Sequence, residues 1–475
     1  MRLKRSIILA TIATAFLLPT SCSKKDRSST TGWKYNDAKW GGFETHDYAG
    51  QETGPGLVIV EGGAFTMGSS EQDVTYEHNN IERKVTVPSF YMDETEVSNL
   101  HYLEYLHWLS RVYVDYPEVY KQALPDSLCW RDKLAFNEPY VEYYFRHPAY
   151  KNYPVVGVNW LQATAYAAWR TDRVNEYILI REGILVPDAG QVNEENFNTT
   201  TYLAGQFDGK QGKRPIKDIK NKKGTRKVRM EDGIMLPDYR LPTESEWEFA
   251  ALANVGQSTY ENINAKKIYS WGGLTTRNQG RKEKNRGYIM ANFKRDKGDQ
   301  AGISGRLNDG AFITTDVHSY WPNDVGLYNM SGNVSEWVMD VYRPLSYEDV
   351  TDFNAFRGNV YKKKRLDADG VVDVKDSLGR LTYVPVTDEE NKMRRNYKKS
   401  DNMGYIDEDV YADGEQGYEY GVTSLINNKA RVYKGASWND RAYWMSPGTR
   451  RFLDEEQDLS TLGFRCAMHR VGSSK

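Results

Sequence analysis

Three cysteines and seven histidines are the residues of this 475-residue chain best suited to metal or nucleophilic chemistry, and their spacing supports little of it. Cys22, Cys129 and Cys466 are too few for a disulfide framework. His101 and His107 stand six apart, which suits a helix surface or a core position better than a metal pair. The chain has no Gly-x4-Gly-Lys-Ser/Thr phosphate loop, no His-Glu-x2-His zinc helix and no Gly-x-Ser-x-Gly nucleophile elbow. Glu244, Glu246 and Glu248 cluster at a helix start, where they favour the N-terminal dipole without any catalytic role. Asp367-x-Asp369-Gly370 lacks the rest of an EF-hand loop and is discarded.

The elements that must position these residues are short. Leu57 to Val60, Ala64 to Met67, Lys84 to Val87 and Phe90 to Met92 read as strands, with Glu61-Gly-Gly63 as a hairpin turn between the first two. Ser98 is an N-cap candidate for a helix with Leu100, Leu103, Leu106 and Leu109 on one face. Asn159 caps another through Trp160, Ala163, Ala167 and Ala168, and Thr243 with Glu246 has capping-box spacing for a third. The remainder is rich in glycine and aromatics, so the pattern predicts an α+β fold of short strands, long loops and few helices. With 34 tyrosines, much of the buried area must come from rings whose hydroxyl needs a partner.

Length gives about three domains or one large elaborated one. Sixty-three Lys+Arg against 65 Asp+Glu exclude charge-driven nucleic-acid binding, and no nucleic-acid partner is expected. Residues 1–21 read as a signal peptide: Arg2, Lys4 and Arg5 precede an uncharged run from Ser6 to Leu18 that is too short to span a bilayer. Cys22 after Pro19-Thr-Ser resembles a lipobox cysteine, so acylation there is the expectation, and residues 22–55 form a tether whose Trp33, Tyr35 and Trp40 can dock part of it on the body. Gly209 to Arg229 carries ten Lys/Arg and one acid, whereas Asp401 to Glu419 carries seven acids and no base. Each is an ordinary solvated loop or, jointly, a pair of complementary patches.

An ordered series of blocks then narrows the reading: Gly62-Gly-Ala-Phe-Thr-Met-Gly68, Glu94-Thr-Glu-Val-Ser98, Pro154-Val-Val-Gly-Val-Asn-Trp160, Arg240-Leu-Pro-Thr-Glu-Ser-Glu-Trp-Glu-Phe-Ala250, Trp271-Gly272, Gly326 to Trp337, Tyr433-Lys-Gly-Ala-Ser-Trp438 and Gly463-Phe-Arg-Cys466. This series resembles the formylglycine-generating-enzyme (sulfatase-modifying factor) domain. The resemblance covers residues 56–470, with insertions near 109–152, 181–235 and 344–430 and a tail at 471–475. It implies one irregular α+β domain, a variant of the C-type-lectin fold. It also implies a pair of copper-binding cysteines just after Trp438, but Asn439 to Pro447 contains none. Met445 alone cannot supply a two-sulfur Cu(I) site, so no copper and no oxidase activity are expected. In the family the cysteine of the last block is structural, and Cys129 pairs with Cys466 only if geometry allows.

The family's structural calcium sites also map onto this chain by resemblance. The first falls on the side chains of Asn329 and Glu336 with the carbonyls of Gly332 and Val334. The second falls on Asn292, the Phe293 carbonyl, Asp309 and the Ala311 carbonyl, with a longer intervening loop and Ala311 in place of an aromatic. These are the hard oxygen ligands that Ca²⁺ takes. The same residues capping turns without metal is the plainer alternative.

A lipid-anchored chain with this domain, without the cysteine pair and with long charged insertions, resembles the gliding-motility and type IX secretion lipoproteins of the GldK/PorK kind. That resemblance implies a non-catalytic scaffold on the periplasmic face of the outer membrane, self-associating into a large ring with a soluble periplasmic partner of the GldN/PorN kind. Ser23-Lys-Lys-Asp26 lacks the acidic run of surface-exported lipoproteins, which favours the periplasmic leaflet. A GldJ-like lipoprotein of the same apparatus, an enzyme with an altered site, and a glycan-binding module using Trp438 or Trp444 stay open.

Overall fold

A computed structural model describes residues 26–48, 50–69, 80–221, 224–254, 266–280, 284–295, 311–343, 362–391 and 429–472. Cys22 with the signal segment, Asp309, Lys222, Lys223 and the acidic stretch from Asp401 to Glu419 lie outside them. Two four-stranded sheets carry the body. The first contains β1 (Leu57–Val60), β4 (Phe90–Asp93), β5 (Tyr239–Arg240) and β10 (Ala467–His469), in the order β1-β4-β10-β5. The second contains β6 (Ser335–Val341), β7 (Ala430–Lys434), β8 (Arg450–Asp454) and β9 (Leu462–Gly463), in the order β8-β7-β6-β9. A separate hairpin joins β2 (Gly63–Met67) to β3 (Arg83–Val87). The α+β expectation therefore holds.

The Glu61-Gly-Gly63 hairpin does not. Strand β1 pairs antiparallel with β4, Leu57 opposite Asp93, and β2 turns away to β3. Gly62 sits where a Cβ would lie 2.4 Å from the Val87 carbonyl and the Ser89 nitrogen, so this glycine serves a close backbone crossing rather than a two-residue turn.

The three longest helices among the described residues each carry the cap their sequence specifies. In α1 (Asn99–Val112) the Ser98 hydroxyl accepts from the His101 N–H. In α2 (Trp160–Arg181) Asn159 and Gln162 form a reciprocal capping box, as Thr243 and Glu246 do in α3 (Glu244–Leu252). The buried face of α1 differs from the leucine stripe expected. Tyr102, Tyr105, Leu106, Leu109 and Val112 face inward while Leu100 is exposed. Rings win the interior because they pack on one another: Tyr102 stacks on Tyr166 of α2 at 5.6 Å, and Phe464 closes on both edge-on.

The insertion at 181–235 has a small core of its own, built from Leu179, Ile184, Phe197, Tyr202, Phe207 and Val228. The tether folds back onto it. Arg226 holds both Glu44 (2.5 Å) and Asp232 (2.7 Å), and His46 lies 3.0 Å from Asp232. Among the described residues no helix is long and apolar enough to cross a membrane.

Candidate metal centre and the adjoining loop

The turn from Asn329 to Val334 enters β6 through three left-handed residues, Asn329 (φ 54°), Gly332 (φ 111°) and Asn333 (φ 70°). Asparagine tolerates this region because its short amide bonds locally. Gly332 has no alternative, since a Cβ there would meet the Asn292 carbonyl at 2.6 Å. Amides tie the turn down. Asn329 donates to Glu96 and to the Val317 carbonyl, both at 3.0 Å, and Asn333 donates to the other Glu96 oxygen at 3.0 Å. The Asn333 N–H donates to the Asn292 carbonyl at 2.8 Å, and the Asn292 amide donates to the Ile313 carbonyl at 2.8 Å.

Glu336 follows on β6 with its side chain 1% exposed. Both carboxylate oxygens are engaged: Arg465 donates to them at 2.6 and 2.7 Å, and the Trp247 indole at 2.8 Å. Burial pushes the Glu96 carboxyl up to about 7, against the pull of the Arg465 charge.

Asn329, Gly332, Val334 and Glu336 are thus brought to one turn, but their polar side chains do not fit a calcium ion as they stand. Glu336 is paired through both oxygens with a guanidinium that a cation would have to displace. The second set is only partly placed. Asn292, Phe293 and Ala311 are all buried, Asn292 bonds to the Ile313 carbonyl, and Asp309 lies outside the described residues. Glu96, Asn333 and Arg465 are the groups that sequence reasoning missed. All three lay inside quoted blocks, and at Arg465 the signal was a charged residue between the buried Phe464 and Cys466.

The loop after Trp438 is closed by protein groups. Ser437 donates to Asp440 at 2.6 Å, and Arg451 clamps both Asp440 oxygens at 2.7 and 2.8 Å while its guanidinium stands over Trp444 at 4.6 Å. Burial raises the Asp440 carboxyl, but Arg451 outweighs it and holds it below the usual range. Met445 is fully buried, and its carbonyl accepts from Ser331. Trp438 stacks on Trp130 of the first insertion at 6.0 Å, and Trp444 is half-buried, so neither offers an open platform. Cys129 and Cys466 are both free thiols. Burial pushes each well up, leaving them protonated and poor nucleophiles.

A model of the sulfatase-modifying factor enzyme 1-like domain matches residues 43–470. The chain is 23% identical over 310 residues to the formylglycine-generating enzyme of Mus musculus, covering 60% of this chain and 58% of that protein's length. It is 26% identical over 321 residues to the inactive C-alpha-formylglycine-generating enzyme 2 of Mus musculus, covering 62% and 72% respectively. Among solved structures, PvdO from Pseudomonas aeruginosa aligns with a TM-score of 0.41 at 15% identity, covering 87% of this chain and 94% of that one.

Proposed function

The chain belongs to the family of sulfatase-modifying factor enzyme 1-like domains, and on that premise we propose that it is a non-catalytic scaffold. It is a lipoprotein of the GldK/PorK kind, anchored through Cys22 on the periplasmic face of the outer membrane. There it builds the ring of the type IX secretion and gliding-motility machinery with a soluble periplasmic partner of the GldN/PorN kind. One observation carries this reading. The loop where the family resemblance implies two copper-binding thiolates holds no thiol and is sealed by the Ser437–Asp440–Arg451 clamp. Of its two mouse relatives one is named an enzyme and the other inactive, so the chemistry of this loop is the better guide.

The charged insertion supplies an assembly surface in this reading. Arg226 and Lys227 are already committed, the first to Glu44 and Asp232, the second to Asp208 and the carbonyls of Gly205 and Phe207. Lys220 is exposed, and it is offered to a partner together with Lys222 and Lys223, which lie outside the described residues.

The test is extraction of a tagged full-length chain in mild detergent, with identification of what co-purifies and negative-stain imaging. Large rings containing a second soluble protein are expected, and substituting glutamate at positions 220, 222 and 223 should dissociate them without unfolding the monomer. Isolated monomers holding stoichiometric copper would sink the proposal.

A further inference from the structure

Residues 26–43 fold on themselves. Arg27 bridges Lys34, the Ser28 N–H donates to the Trp33 carbonyl at 2.8 Å, and the Asn36 N–H donates to the Phe43 carbonyl at 2.9 Å. Between them Asp37 caps the short turn Ala38–Trp40 by accepting from the Lys39 N–H at 3.0 Å. The segment is then pinned to the body just beyond Phe43, where Glu44 pairs with Arg226 and His46 with Asp232.

This ordered segment displays its rings. Trp33 is 55%, Trp40 40% and Phe43 65% exposed, whereas tryptophan is highly buried on average. Their contacts run between neighbours in the segment, Trp33 edge-on to Trp40 at 6.2 Å and Tyr35 against Phe43 at 5.7 Å. Bases stand among the rings. The Arg27 guanidinium lies 5.9 Å over Trp40, and Lys39 next to Trp40 in sequence is exposed. From Asp26 to Gly42 there are three bases, Arg27, Lys34 and Lys39, against two acids. One of those acids, Asp37, is already engaged by the turn it caps and by Lys34 at 3.6 Å. Lys24 and Lys25, outside the described residues, precede the segment in sequence.

Exposed rings mark a contact surface, and the bases among them say with what. The core of a protein–protein interface is depleted of lysine, so Lys34 and Lys39 beside the two indoles fit that use poorly. A membrane surface takes both kinds of group. Indoles settle at headgroup level with the ring toward the chains and the N–H in the wet layer, and bases meet the lipid phosphates. Position in the chain points the same way. Cys22 precedes Asp26 by four residues, so an acyl group there would hold Asp26 within about 14 Å of the bilayer surface.

We propose that Trp33, Trp40 and Phe43 sit in the headgroup layer of an anionic lipid surface, with Arg27, Lys34 and Lys39 on its phosphates; this rests on Cys22 being the lipid anchor. The full-length chain is reconstituted from detergent into vesicles of phosphatidylcholine and phosphatidylglycerol, with acyl-brominated phosphatidylcholine as the probe. Flotation with the vesicles reads the anchor, and quenching of tryptophan emission by bromine reads the patch. Trp33 and Trp40 are two of 12 tryptophans, so roughly a sixth of the emission should be quenched. Trp33→Phe with Trp40→Phe should abolish the quenching while flotation persists. Lys34→Glu with Lys39→Glu should cut it to about half or less, and keeps the test valid if the tryptophan pair folds poorly. Flotation without quenching, or quenching that survives both pairs of substitutions, overturns the proposal and leaves the anchor standing. A chain that does not float removes the anchor and the proposal with it. Emission untouched by brominated lipid but shielded from acrylamide by a co-purifying protein assigns the rings to a protein partner, and overturns it too.

Discussion

Arg465 lies across both carboxylate oxygens of Glu336, 129 residues away in sequence, with the Trp247 indole donating to the same carboxylate. Both charges are out of water. Breaking one partner of a buried pair strands the other, at a cost of about 3–5 kcal/mol. Arg465→Met should therefore lower the unfolding free energy by about that amount in urea denaturation. Glu336→Gln added to it should recover part of the loss, because the stranded charge is gone. A loss within about 0.5 kcal/mol, the range of an ordinary surface change, would show that the pair does not hold the turn.

Glu96 gives a pH signature. Its carboxyl titrates at about 7 in the fold, because burial raises it more than Arg465 lowers it, against 4.5 when free. The folded state holds this proton more tightly, so its contribution is complete below pH 4.5 and is lost as pH rises through about 7. Glu96→Gln carries no such proton. Its melting temperature should fall less than that of the native chain between pH 5 and pH 8, measured by differential scanning fluorimetry. Parallel profiles would remove Glu96 as the cause.

Lys434 offers a second buried charge, with its side chain 0% exposed. It sits 2.9 Å from Glu248 and 3.6 Å from Glu244, and Arg450 is 2.9 Å from Glu244. Lys434→Met leaves Glu248 with only the Gly68 N–H as a donor among the bonds described here, and should cost about 3–5 kcal/mol. Arg450 remains to hold Glu244, so the double change with Glu248→Gln should be milder than the sum of the two. Additive losses in equilibrium denaturation would mean that the two residues are not coupled.

Gly332→Ala tests the turn itself. The substitution forces a side chain into φ 111° and toward the Asn292 carbonyl, and strain of that kind costs about 1–3 kcal/mol. Gly326 is also left-handed, but a Cβ there meets nothing within 4 Å, so Gly326→Ala should cost less. Equal effects would mean that backbone conformation, and not the crossing with Asn292, sets the cost.

Chelation tests the metal reading separately. With Glu336 held by Arg465, removing divalent ions with EDTA should leave the melting temperature within about 1 °C of the untreated protein, since a ligand that is not bound adds no stability. A fall of several degrees, restored by Ca²⁺, would place a calcium ion in the fold.

Local signals were legible in the sequence. Ser98, Asn159 and Thr243 cap the helices they announce, because a cap needs only the next three residues. Long-range pairings were not. Nothing near Glu61 reveals that β1 prefers β4, since either partner suits the wholly apolar run of Leu57 to Val60. The tyrosine face of α1 was hidden because Leu100 and Tyr102 are both apolar enough to face inward, and only the rings of α2 decide between them. At the metal centre the turn was legible from Asn329 to Glu336, whereas the partner of Glu336 lay more than a hundred residues away and carried no local mark.

The docking of the tether onto Arg226 works as a latch. Glu44 and Arg226 are 182 residues apart in sequence, and His46 meets Asp232 beside them. Residues 26–48 and the 181–235 insertion are therefore joined by charge where the chain itself does not join them, and a pull on one is passed to the other without going through the two sheets.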